Sequence, residues 1–231
     1  MLVAAAVCPC PPLLVPEIAS GAAAELDDLR AACDTALRAV VAAEPELLWV
    51  VGPAAEHGSF EDGGTASFRP YGVDLTVPLG RGGSTEPLPP SLGVGAWLLD
   101  RIGWDGGVKG LGVPDYLEAD ICAANGVRLA GSAERVGLLV LGEGSARRSL
   151  KAPGYLDERA EDFDRAAARG LALADAGGEL AAMDDELAFE LMASGRAPWQ
   201  VLSAAAAGGL EAELLYQDAP YGVGYFVASW T

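Results

Sequence analysis

Residues 1–18 read MLVAAAVCPCPPLLVPEI, and the reading of this stretch decides the fold. The small and apolar run at residues 1–7 predicts a strand buried on both faces. Pro9, Pro11 and Pro12 then oppose both helix and ladder pairing, so the chain must leave the sheet there. Cys10 is thereby placed at a strand end, stiffened by a proline on each side. In α/β proteins that edge is where ligand sites are built. The same stretch also fits two buried thiols ahead of a rigid loop, because free cysteine packs as a small hydrophobe.

Working outward, residues 21–43 predict a helix, with Leu26, Leu29, Cys33, Leu37, Val40 and Val41 at helical spacing and Ser20 as its N-cap. Residues 45–52, PELLWVVG, predict a second buried strand, which makes a βαβ unit with a right-handed crossover. A polar, glycine-rich loop follows. It carries His57, the only histidine in the chain, at the same sheet edge as Cys10. Residues 73–79 read as a short strand that can reach a sheet edge, 91–102 as a helix, and 106–112 as a strand. Residues 115–125 read as a helix stopped by Gly126.

Residues 135–141, RVGLLVL, form the third strong strand signal. They run into Gly142-Glu143-Gly144-Ser145-Ala146-Arg147-Arg148-Ser149, a glycine-punctuated turn. Helices are expected at 155–175, from about Glu179, through the segment opened by Asp184 and Asp185, and over 197–209 from Pro198. Two strands, 212–217 and 222–230, close the chain, with Asp218 in the turn between them. Asp218 is a candidate ligand or orienting carboxylate, and equally a turn aspartate bonded to its own backbone. With no repeat and no composition break, residues 1–231 read as one α/β domain. Its central sheet is mainly parallel and covered by helices on both faces, with antiparallel strands near the C-terminus.

Against 33 acids stand 15 bases, a formal net charge of −18. Nucleic acid or an anionic membrane would need a basic face, so neither partner is expected. No uninterrupted apolar run reaches roughly 18 residues, so no membrane span is expected. The four cysteines contain no CxxC pair, and a reduced, cytoplasmic chain is the expectation. Cys8 and Cys10 are expected to point to opposite faces and not to bridge.

Cys8-Pro9-Cys10-Pro11-Pro12-Leu13-Leu14 resembles the Pro-His-Pro-Pro-Leu-Leu opening of class III extradiol dioxygenase catalytic (beta) subunits, the protocatechuate 4,5-dioxygenase type. Trp49-Val50-Val51-Gly52-Pro53 with its histidine-bearing loop is similar to that family's second strand and ligand histidine. The turn at 142–148 resembles the one carrying the acid–base histidine. The helix of Glu186, ending in Ser194-Gly195-Arg196, resembles the one supplying a metal-binding glutamate. The resemblance runs in order along nearly the whole chain.

It implies Fe(II) on two histidines and a glutamate, with open positions for a catecholate and dioxygen. This chain departs from that pattern. Cys10 stands at the first histidine position and Ser145 at the acid–base position. His57 reaches the second ligand position only if its loop shifts. One histidine cannot supply two ligands and a base, so ordinary catechol cleavage is not expected. Cys10, His57 and Glu186 remain candidate ligands for a divalent metal, zinc, iron or copper, with Asp218 nearby. Arg147 and Arg148 are candidates to hold a small aromatic or anionic ligand. Two readings follow: a relative with an altered site that binds a small ligand or metal, and an active metal-dependent oxidoreductase on a Cys/His/Glu centre. A serine hydrolase using Ser145 and His57 is a third. Family precedent suggests a homodimer or a partnered subunit.

Overall fold

The computed structural model describes residues 1–174, 177–206 and 208–231. Strand β1 is Leu2–Cys8, and its unbroken apolar run is buried almost throughout. A 3-10 turn, Pro12–Leu14, and helix α1, Pro16–Ala19, carry the chain off its end. Ser20 does not cap a helix: with φ of 49° it opens a 3-10 run, Ser20–Leu26, and α2 spans Asp27–Ala42. Next come β2, Leu47–Pro53, and a short β3, Gly58–Phe60, inside the loop of His57. Thr65–Ser67 (β4) and Thr76–Pro78 (β5) pair with each other in a separate two-stranded sheet. The strand expected at 73–79 therefore does not join the main sheet.

The chain continues through α3 (Pro90–Ile102), β6 (Gly107–Val113), α4 (Ala119–Ala130) and β7 (Val136–Leu141). Helix α4 runs through Gly126 and stops at Gly131 instead. Gly126 serves a close approach: a methyl group there would strike the Val201 carbonyl on the helix packed against it. Helices α5 (Ala160–Ala172), α6 (Asp185–Glu190) and α7 (Arg196–Ala205) follow, then β8 (Ala212–Asp218) and β9 (Tyr225–Trp230). The segment around Glu179 is turn, not helix. The expected helix end at Asp175 and Ala207 in the 197–209 stretch lie outside the described residues.

The main sheet has seven strands in the order β3-β6-β2-β7-β1-β9-β8. The inner four, β6, β2, β7 and β1, are parallel, and β3, β9 and β8 add antiparallel pairings. Register places Cys8 beside Leu141, Pro53 beside Val113 and Val51 beside Val140, so the four parallel strands finish at one edge. Side chains alternate across the sheet. Ala4, Ala6, Cys8, Val50 and Leu139 pack with Leu37 of α2 and Leu98 of α3. Ala5, Val7, Trp49, Val51 and Leu138 pack with Leu129 of α4, Leu171 of α5 and Leu202 of α7.

Cys8 and Cys10 join the same core, which overturns the expectation of opposite faces: residues two apart in extended chain share a side. All four cysteines are free and buried. No helix among the described residues is long and apolar enough to cross a membrane. Strand β8 ends the sheet on one side and, among the described residues, is paired only to β9.

Candidate functional site

The segments leaving β1, β2, β6 and β7 at their carboxyl ends enclose a cleft of about 820 Å³. Cys10, Glu143 and Ser194 form its polar floor. Pro53, Ala54, Phe189 and Met192 contribute apolar wall, and Arg147 enters from the turn after β7.

Glu143 holds the floor together. Its Oε1 accepts the Cys10 backbone N–H at 2.7 Å, and its Oε2 accepts the Ser194 hydroxyl at 2.5 Å. The Glu143 backbone N–H donates to Ser194 Oγ at 3.0 Å, and the Gly195 N–H donates to the Glu143 carbonyl at 2.8 Å. Three chain segments are thus tied through one residue: the proline-stiffened turn after β1, the turn after β7, and the approach to α7. The prolines leave the Cys10 N–H without a ladder partner, and the Glu143 carboxylate supplies one.

Burial pushes the Cys10 thiol well above its usual value, and the neighbouring Glu143 charge raises it further. A thiol in that state is a weak nucleophile at neutral pH. Replacing Glu143 by Gln keeps an acceptor for the Cys10 N–H and removes the charge, so the thiolate fraction should rise. We expect faster alkylation of Cys10 by iodoacetamide at mildly alkaline pH, followed by mass spectrometry; an unchanged rate would show that Glu143 exerts no field on the thiol.

The other sequence candidates are dispersed. His57 is exposed outside the cleft lining, and its Nε2 lies 3.2 Å from Asn125 Nδ2. Glu186 is exposed in the first turn of α6, which presents Ala188, Phe189 and Glu190 to the cleft instead. Asp218 is exposed at the end of β8, and its Oδ1 accepts the N–H of Ala219 at 2.7 Å, the turn arrangement bonded to its own backbone.

Ser145 is fully buried. Its hydroxyl donates to the Leu191 carbonyl at 3.1 Å and accepts the Arg147 N–H at 3.1 Å. Its backbone N–H donates to Asp164 Oδ1 at 2.7 Å. Of the paired arginines, Arg148 turns away to Asp164 at 2.9 Å, and Arg147 lines the cleft.

The iron centre implied by the resemblance does not fit these side chains. Two imidazoles and a free carboxylate would have to converge. Here both Glu143 oxygens are occupied by Cys10 and Ser194, and the one imidazole sits outside on Asn125. Among the described residues no three His, Cys, Asp or Glu side chains are grouped to hold a metal ion. Reading the sequence missed Glu143 and Ser194 as floor residues. The available signal for Glu143 was a carboxylate between two glycines at the end of a buried strand.

No family model matches the chain, and no curated protein matches it. Among solved structures it is similar to the crystal structure of uncharacterized protein JW3007 from Escherichia coli K12, with a TM-score of 0.53 and 14% identity. The match covers 99% of each chain. At that identity the likeness concerns the fold, a single α/β architecture shared from end to end.

Proposed function

We propose that this chain is a small-ligand-binding protein on a class III extradiol dioxygenase-like frame, and that its cleft does not carry out ordinary catechol ring cleavage. The observation that supports this most is the state of Glu143. The carboxylate nearest Cys10 is closed by two hydrogen bonds, while His57 and Glu186 lie outside the cleft lining. What else lines the cleft is apolar wall, one guanidinium and the exposed Asp115 and Glu190, a lining that suits binding better than dioxygen chemistry.

The test is elemental analysis of protein purified without added metal, joined to oxygen uptake with catechol and protocatechuate. We expect substoichiometric zinc, iron and copper, and oxygen consumption at the rate of the buffer. One metal per chain that is lost in Cys10→Ala, together with catechol-dependent uptake, would overturn this reading in favour of a metal-dependent oxidoreductase.

A further inference from the structure

Resting on the reading of the cleft as a ligand site, the geometry points to the class of ligand: a small organic monoanion, its carboxylate held by Arg147 and its apolar body laid against Pro53, Ala54, Phe189 and Met192. Arg147 is held in place from both ends. Its N–H bonds the buried Ser145 hydroxyl at 3.1 Å, and its carbonyl accepts the Asp157 N–H at 3.0 Å. Its stem is packed beside Gly154 and Met192: a methyl group at Gly154 would come within 2.6 Å of Arg147 Cγ and 2.8 Å of the Met192 sulfur.

One N–H of the guanidinium at the end of this stem is not satisfied. Its Nε is buried and has no hydrogen-bond partner among the described residues. The carboxylates around it are engaged elsewhere. Asp157 forks onto Arg159, with contacts of 2.7 and 3.0 Å, and Glu190 pairs with Arg159 at 2.6 Å. Glu143 is closed by Cys10 and Ser194. A buried N–H of a cation without an acceptor is costly, and a ligand carboxylate supplies two acceptors in the geometry of the fork.

Two further observations narrow the class. The protein carries a net charge of −18, and Asp115 and Glu190 stand exposed at the cleft lining, so every negative charge beyond the first is repelled. Phe189 and Met192 are large hydrophobics left 68% and 49% exposed, and an apolar ligand body would cover them. One carboxylate on an apolar frame meets both conditions, and inorganic phosphate meets neither.

The experiment is calorimetric titration with benzoate, its neutral isostere benzamide, and inorganic phosphate. We expect benzoate to bind, with benzamide and phosphate at least roughly 10-fold weaker. Arg147→Met keeps the packed stem and should weaken benzoate roughly 10- to 100-fold without changing benzamide. Arg38→Met, the same charge change on the exposed face of α2, should bind like wild type. Thermal melting checks that Arg147→Met folds. If it does not, Arg147→Lys carries the test, with the charge kept, the fork lost and an intermediate affinity expected. Equal binding of benzamide, or full benzoate affinity in Arg147→Met, would overturn the anion assignment and leave the cleft a site for neutral ligands. Absence of benzoate binding would overturn it as well, and the metal and oxygen measurements then judge the broader reading separately.

Discussion

Asp164→Ala is expected to destabilise the protein by about 2–4 kcal/mol, read as a shift in the urea midpoint at constant m-value. Asp164 projects from α5 into the interior and is wholly buried. One oxygen accepts the Ser145 N–H at 2.7 Å, and the other accepts Arg148 Nη1 at 2.9 Å. Gly144 and Gly224 press against the carboxylate, and a methyl group at either would collide with its oxygens. Truncation leaves a backbone N–H and a guanidinium without their acceptor. Breaking a buried pair costs about 3–5 kcal/mol, and because Arg148 is 24% exposed, water recovers part of that.

Asp164→Asn keeps an acceptor and should cost less. It also reports on ionisation. Burial raises the Asp164 carboxyl above its ordinary value, and the Ser145 and Arg148 bonds only partly offset this. The native state therefore holds a proton at a pH where the unfolded chain has released it. Stability from this group is complete below the ordinary carboxylate value and falls as pH rises through the folded one. Wild type should lose stability relative to Asp164→Asn over that interval, and parallel pH profiles for the two proteins would count against the assignment.

Trp199→Ala should cost about 3–5 kcal/mol, the usual range for emptying a buried indole site. The ring is fully buried and meets Phe226 edge-on, with centroids 5.8 Å apart at 76°. It also lies against Gly195, where any side chain would overlap it. The indole thus locks the first turn of α7 to β9, next to the Ser194 bond on Glu143. Trp199→Phe separates packing from polarity. The indole N–H is buried without a partner among the described residues, so its removal relieves an unsatisfied donor while most of the ring remains. The Phe variant should fall within about 1–2 kcal/mol of wild type, far above the Ala variant. Equal losses in both would mean that the indole donor matters after all.

The parallel core was legible because its signal is composition over a whole strand. The runs at 1–7, 47–52 and 136–141 are apolar throughout, as segments of a sheet covered on both faces are. Helix ends were less legible. Gly126 reads as a stop by local rules, yet it lies mid-helix because α7 comes too close for a side chain. β3 is three residues in a polar loop, held by its pairing to β6 and invisible to periodicity.

For the site, sequence order paired Cys10 with His57 at one edge, whereas the cleft is lined by Cys10 and Arg147 and not by His57. It could not tell which way neighbouring side chains turn. Arg147 and Arg148 differ only in that one enters the cleft and the other pairs with Asp164. Glu143 and Glu186 are both carboxylates near strand or helix ends. Only the contacts with Cys10 and Ser194 single out Glu143.

The terminal position of β8 has a consequence for how copies of the molecule meet one another. An open outer strand offers unpaired backbone groups to any extended segment that arrives, the route by which sheets grow into fibrils. Here the guest would encounter Glu213 and Asp218 on the strand and Glu211 just before it, with the register broken between Leu214 and Tyr216. Two copies brought edge to edge would stack carboxylate on carboxylate along an irregular seam. The opposite edge, β3, is only three residues long and gives little to grip. Resistance to self-templating is thus built from charge, irregularity and brevity.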